Sequence, residues 1–368
     1  MSGKPVHAEG IRIWSLLPLA DRFAIARRIV LRRTRAWRAK FPGLVSVGVG
    51  YRVRRESGSR GKARASKPGT GVKKTRIDTL RTLHRDVICV RFVVKSKWRS
   101  DRADDERRIP DCIPARATFR KRRRRVWIPT DVDQDGPGKL QASLDATDGI
   151  RVIEIVGGGV APKRCVGSFC CVVRDTHAPS DRYLLSCHHV LTLSGQSHPG
   201  FQPSGAAGVR IRVPDQSIGS LYDYATLGNG TTYGCDAALA KLSTPDEPYV
   251  WGITPTRVAG PFAQPTSFRV FVPRRNQRSG IRIGPIPATF IDEQMDYTIQ
   301  FSVTRSVRFK SVFRYAAETV DGDSGSALLG PDGTLFGMHF YKARNGVCCA
   351  IPAYILFTPG LFSIDVKL

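Results

Sequence analysis

The sequence predicts a mainly β protein in two parts, a small and strongly basic α+β half followed by an all-β half of about 200 residues. Three observations carry that prediction. From about residue 150 onward, short β-rich runs such as RVIEIVG, FCCVVRD, DAALAKL and TLFGMHF alternate with Gly, Pro, Asn and Asp turns, and long helical periodicity is nearly absent. Before that point, one helical pattern and three or four strand patterns stand together. The charge also shifts: residues 1–150 hold 37 Lys+Arg against 15 Asp+Glu, a balance of +22, whereas residues 151–368 hold 21 against 16, a balance of +5.

Taken in order, residues 16–40 read as a helix. Leu19, Phe23, Ala26, Val30 and Ala36 follow a spacing of three to four, arginines occupy the other faces, and Phe41-Pro42-Gly43 stops the pattern. LVSVGVGYRVRR then alternates as a strand, and DVICVRFVVKSK and RRRRVWIPTDV follow as two more. Residues 56–75 are rich in Gly, Ser and Lys and read as a flexible loop. The expected organisation is a basic α+β accessory domain over residues 1–135, a linker over 136–150, and an all-β domain over 151–368.

Composition excludes several classes. Hydrophobic residues make up 41% of the chain, enough for real cores. No stretch reaches the roughly 18–20 apolar residues needed to span a bilayer, and MSGKPVHAEG has no basic lead into an apolar run with a cleavage site. A cytoplasmic protein is therefore expected. Nine cysteines is an odd count, and the neighbouring pairs Cys170–Cys171 and Cys348–Cys349 lack metal-ligand spacing, so free thiols in a reducing compartment are expected.

Three stretches of the second half could carry chemistry: LLSCHHV, YGCDAALAKL and VDGDSGSALLG. Nucleophilic catalysis needs a hydroxyl or thiol, a base to take its proton, and a group to orient that base. Ser324, a histidine of the His188–His189 pair, and Asp236 could fill these roles, with Asp223 a rival for the last. Asp236 is preferred because it opens an apolar strand directly. Gly322 and Gly325 bracket Asp323-Ser324, which lets the backbone turn tightly and point amides outward. The amides of Gly322 and Ser324 suit an oxyanion hole.

The order His…Asp…Ser, with HV after an apolar strand, DAALA, and GDSGSAL followed by GTLFGMH, resembles the chymotrypsin/trypsin-like serine peptidases. The likeness spans about residues 155–360, with gaps of 47 and 88 residues between the three positions. It implies a double β-barrel and a serine endopeptidase acting on protein or peptide substrates, with no metal or cofactor. It also selects His189 as the base, since that residue stands immediately before Val190. His188 is then expected to be a partly exposed neighbour. The absence of a cysteine after His189, and the long basic half before the first barrel, make the chain look more like the bacterial intracellular or stress-type members than the secreted ones.

In glutamyl endopeptidases and picornaviral chymotrypsin-like cysteine proteases, a Ser/Thr and a His at similar positions line the primary pocket. Thr319 and His339 stand there in this chain, which implies a Glu or Gln preference. A pocket for Arg or Lys built on Glu318, and one for small or apolar residues, remain open alternatives. Separately, the run Phe119–Trp127 and the helix arginines Arg27, Arg28, Arg32, Arg33 and Arg35 form a basic surface. It could meet an acidic partner, nucleic acid or an anionic lipid surface, or be a solvated face. No zinc finger, homeodomain or RNA-binding motif accompanies it.

Overall fold

The computed structural model describes residues 7–53, 83–95, 108–134, 138–140, 150–154, 163–192, 209–213, 216–225, 227, 232–243, 255–261, 263, 268–271, 285–300, 306–343, 345–362 and 364–366. The chain divides into two compact units, Met1–Asp135 and Gly136–Leu368. Strand is the dominant element of the described residues. None of their helices is long and apolar enough to cross a membrane.

The first unit has two helices, α1 (Ala8–Leu16) and α2 (Leu19–Lys40), and four strands, β1 (Leu44–Val53), β2 (Leu83–Val94), β3 (Cys112–Phe119) and β4 (Arg122–Gln134). The sheet order is β1-β2-β4-β3, antiparallel except between β2 and β4. The single helix expected over 16–40 is two helices broken at Leu17-Pro18. Pro18 lacks the amide that would continue α1 and stands at the N-cap of α2. The buried face of α2 is also displaced from expectation. Phe23, Ala26, Val30, Thr34 and Trp37 are buried, whereas Ala36 is exposed. Arg22 and Arg27 lie on the buried side rather than among the exposed cations. Trp14 of α1 anchors on the sheet by donating its indole N–H to the Ile88 carbonyl at 3.1 Å. Trp37 and Phe41 meet Phe92 edge-on. Arg91 is buried on β2 and compensated by Asp131 and Asp133 on β4.

Strands β3 and β4 form a hairpin whose two-residue turn is Arg120-Lys121. Both residues have positive φ, 50° and 63°. That is the dihedral pattern of a type I′ turn, which favours Asn-Gly because side chains with a branched or long stem disfavour the left-handed region. The expected loop over 56–75 lies outside the described residues.

The second unit holds two sheets. Its strands are β5 (Gly138–Leu140), β6 (Ile150–Glu154), β7 (Lys163–Gly167), β8 (Cys171–Asp175), β9 (Arg182–Ser186), β10 (Val209–Val213), β11 (Gln216–Tyr224), β12 (Tyr233–Gly234), β13 (Ala238–Leu242), β14 (Arg257–Val258), β15 (Phe268–Phe271), β16 (Ile286–Gln300), β17 (Ser306–Ala316), β18 (Ala327–Leu329), β19 (Thr334–Ala343), β20 (Val347–Pro352) and β21 (Ile364–Val366). One sheet runs β21-β8-β9-β13-β11-β10-β6-β7. In the other, β15, β16, β17, β20, β19 and β18 pair in turn and β18 returns to β15, so these six strands form a closed ring. Two short helices, α3 (His188–Leu191) and α4 (Ala353–Leu356), follow β9 and β20.

Part of the expected linker is structured, since Gly138–Leu140 pairs antiparallel with β19 and Ile150 opens β6; its remaining residues lie outside the described set. The largest difference from expectation is β17. SVRFKSVFRYA alternates apolar and basic residues and was not expected as a strand, yet it pairs with β16 over most of its length. Its Arg314 is fully buried and clamped by Asp292 of β16 through two hydrogen bonds of 2.8 and 2.6 Å. A guanidinium in a β core is tolerated because the carboxylate fork compensates it in both position and charge.

Candidate active site

The site begins at the end of β9. Ala238 of β13 pairs with Ser186 of β9, which brings Asp236, two residues before β13, beside the residues that follow β9. Those residues form a helical turn, α3, with Cys187 at its N-cap. Successive side chains on a helix diverge by about 100°, so the two histidines face different surroundings. They sit on this turn rather than on a strand end.

His189 is fully buried, as is Asp236. The His189 Nδ1–H donates to Asp236 Oδ2 at 2.6 Å, and the His189 backbone N–H donates to Oδ1 at 3.0 Å. Both carboxylate oxygens are thus committed to one residue, which fixes the ring's tautomer and leaves Nε2 as the basic nitrogen. Burial pushes the Asp236 carboxyl up, but His189, its hydrogen bonds and the neighbouring His188 more than offset that and hold it below the usual carboxylate range. The rival, Asp223, is exposed on β11 and accepts from its neighbour's Tyr224 N–H.

His188 is buried, at 7% exposure, rather than partly exposed. Its Nδ1–H donates to the Ala225 carbonyl at 2.8 Å, and its ring meets Tyr224 edge-on. A strong local acceptor and an aromatic wall account for the burial of a residue that sequence reasoning left at the surface.

Ser324 lies in the turn between β17 and β18. Gly322 and Gly325 on either side have φ of +97° and +99°. At Gly325 a Cβ would meet the Ser168 carbonyl oxygen at 1.9 Å, so only glycine fits there. Asp323 folds back on the loop, its Oδ2 accepting from the Val320 N–H at 2.8 Å. Ser324 Oγ donates to the Phe340 carbonyl at 3.1 Å. His189 Nε2 is buried and has no hydrogen-bond partner among the described residues. The direct Ser324–His189 hydrogen bond is therefore not formed in this arrangement.

Ser168 is the residue that sequence reasoning missed. Its N–H donates to the Ser324 carbonyl at 2.7 Å and its Oγ to the Gly322 carbonyl at 3.0 Å. Its own carbonyl accepts from Ser186 Oγ at 2.5 Å. Ser168 thus ties the serine loop to β9, the strand that leads into the histidine turn. Its only signal in sequence is a Gly-Ser pair before a cysteine run, which reads as an ordinary turn. Cys187 adds a second tie, its thiol donating to the His339 carbonyl at 3.3 Å.

Cys187, His189 and Asp236 place ligand-type atoms within 4.8 Å of one another. The thiol is engaged with the His339 carbonyl and the carboxylate with His189, an arrangement that serves an oriented His–Asp pair.

His339 falls in the closed ring, and Thr319 in the segment that follows β17. His339 is fully buried on β19, with Nδ1 2.6 Å from the Tyr315 hydroxyl. Burial first of all pushes the Tyr315 phenol well above its ordinary value, so it stays protonated. Thr319 Oγ1 lies 3.1 Å from Cys348 Sγ, and Cys348 is the strand partner of Tyr315, which links the two pocket candidates through β20. Glu318 is exposed. Tyr315 carried no signal because its strand was not recognised.

No family model matches the chain, and no curated protein matches it. Among solved structures it is similar to the Rv3671c protease from M. tuberculosis in its active form, at 14% identity and a TM-score of 0.35, over 60% of this chain and 83% of that one. The inactive form of the same protease shares 16% identity with a TM-score of 0.32, over 56% and 85% of the two chains.

Proposed function

We propose that the chain is a serine endopeptidase of the chymotrypsin-like type, built as a double β-barrel, with residues 1–135 as a basic accessory domain and a cytoplasmic setting that suits its nine cysteines. The observation that carries this reading is the doubly hydrogen-bonded His189–Asp236 pair beside a Gly-Asp-Ser-Gly turn with left-handed glycines on both sides. The closed ring of six strands supports the second barrel.

In the proposed reaction Ser324 Oγ attacks the scissile carbonyl carbon while His189 Nε2 takes its proton. Asp236 holds the ring and stabilises the imidazolium, and the amides of Gly322 and Ser324 receive the oxyanion. The C–N bond breaks as His189 gives its proton to the leaving amine. Water, deprotonated by His189, then releases the acid and restores Ser324. For the primary pocket, Tyr315 O–H donating to His339 Nδ1 leaves Nε2–H to meet a Glu or Gln side chain, with Thr319 as second contact.

A second reading, a silent binding protein on a peptidase fold, is favoured by one observation: Ser324 Oγ rests on the Phe340 carbonyl and not on His189. A fluorophosphonate probe separates the two. Stoichiometric labelling that vanishes in Ser324→Ala and in His189→Ala supports the peptidase. A folded protein that never labels, with or without added polypeptide substrates, supports the binding protein.

A further inference from the structure

The β3–β4 hairpin carries a charge pattern that a peptidase site does not use. Between Arg116 and Arg125 stand seven cations, Arg116, Arg120, Lys121 and Arg122–Arg125, and no acidic residue lies from Cys112 to Pro129. All seven are exposed. Among the described residues none of them is in an ion pair. Four consecutive residues of β4, Arg122–Arg125, are exposed, so both faces of the ribbon present guanidinium groups at this end.

Two features show that these groups are held in place. Arg125 lies over the Trp127 ring at 4.8 Å and Arg120 over the Phe119 ring at 5.4 Å. The turn itself keeps Arg120 and Lys121 in left-handed backbone where Asn-Gly would relax it. The sequence thus places cations at the tip at the expense of local conformational preference, the pattern expected where charge at that point is used.

We infer that this hairpin is a binding surface for double-stranded nucleic acid, read through its phosphates and not its bases. Six of the seven cations are arginines, whose planar fork matches phosphate oxygens. A two-stranded ribbon has the width that the major groove of duplex DNA admits. Cations on both faces meet phosphates on both groove walls. A lipid surface is the weaker match, because the ribbon's exposed positions from 120 to 125 include no apolar side chain to insert.

The test is fluorescence anisotropy of a 20-base-pair duplex with the full chain over 50–200 mM salt. Engagement of four to seven phosphates gives a slope of log K against log salt of about −4 to −6. Replacing Arg122, Arg123 and Arg124 together by Gln, all at exposed positions, should weaken binding by about tenfold or more and flatten that slope by about 3. A second variant, Arg120→Asn with Lys121→Gly, should raise the melting temperature while lowering duplex affinity, which separates lost contacts from lost folding. The inference is overturned if no duplex binds at 50 mM salt. It is equally overturned if the triple variant binds as the parent does, or if phosphatidylserine vesicles or poly-glutamate are held through the hairpin more tightly than the duplex.

Discussion

Ser324 Oγ donates to the carbonyl oxygen of Phe340 at 3.1 Å, a bond that directs the hydroxyl toward β19. The basic nitrogen of His189 is meanwhile buried without a hydrogen-bond partner among the described residues. His189 and Asp236 are already paired, and the proposed nucleophile, Ser324, must leave the Phe340 carbonyl to reach His189. The bond to be given up is worth about 1 kcal/mol net, so in the proposed mechanism substrate binding is enough to favour the exchange. Labelling by a fluorophosphonate should accordingly accelerate in the presence of a peptide that fills the cleft without being cleaved. A labelling rate that such a peptide only slows would show that the serine is already poised.

The two histidines should respond differently. His189→Ala should lower kcat by at least about 10³-fold, and Asp236→Asn by about 10⁴-fold because the ring loses its tautomer control. His188→Ala should keep most activity but melt earlier, since it deletes the bond to the Ala225 carbonyl from a buried site. Steady-state kinetics beside thermal melts of the three variants decide this. A dead His188→Ala with a working His189→Ala would reverse the roles assigned to α3.

Ser168 offers a positioning test. Ser168→Ala removes the Oγ bond to Gly322 but leaves the backbone bond to Ser324. Stability should fall by about 1 kcal/mol, a drop of roughly 2–4 °C in Tm. The labelling rate should fall more than that loss explains, with recovery in Ser168→Thr, because the serine loop would be less firmly placed. Gly325→Ala should abolish labelling, as its Cβ has no room against the Ser168 carbonyl. Equal labelling rates in Ser168→Ala and parent would limit Ser168 to a structural role.

The pH dependence follows from Asp236. Its carboxyl is held below the ordinary value in the folded protein, so between about 3.9 and the lower folded value the unfolded state binds more protons. Stability therefore rises with pH across that window and is lost as pH falls through it. Chemical denaturation between pH 3 and 7 should show a shallower acid limb for Asp236→Asn than for the parent. Parallel limbs would mean that the carboxylate gains nothing from its two bonds to His189.

The geometry of the candidate site was legible in part because chemistry narrows the choice of residue. A Gly-Asp-Ser-Gly turn needs glycine at φ +97° and +99°, and Asp236 stands just before an apolar strand, where it meets His189. The second half's strands were legible where apolar residues dominate, as in β13 and β20. β17 was not, because its buried Arg314 is neutralised by Asp292 of β16, a partner far away in sequence. The break at Pro18 was hidden by apolar residues on both sides that fit one helical period. Ser168 and His188 owe their places to carbonyl partners, and backbone acceptors leave no mark in a sequence.

Tyr315 follows from that missed strand and supplies the last prediction. Its hydroxyl, 2.6 Å from His339 Nδ1, sets which ring nitrogen of His339 carries the proton. Tyr315→Phe keeps the ring packing against Phe268 and deletes only that bond. Without it the Nε2–H tautomer loses its support, and a Glu or Gln side chain in the pocket loses a donor. Cleavage after Glu or Gln should fall by about 1–2 kcal/mol in kcat/KM, roughly five- to thirtyfold. Cleavage after small apolar residues should change little. His339→Ala should show the same selective loss, more strongly. A profile across a peptide library that stays the same in both variants would remove His339 and Thr319 from the pocket. It would leave the small or apolar reading, since Glu318 is exposed.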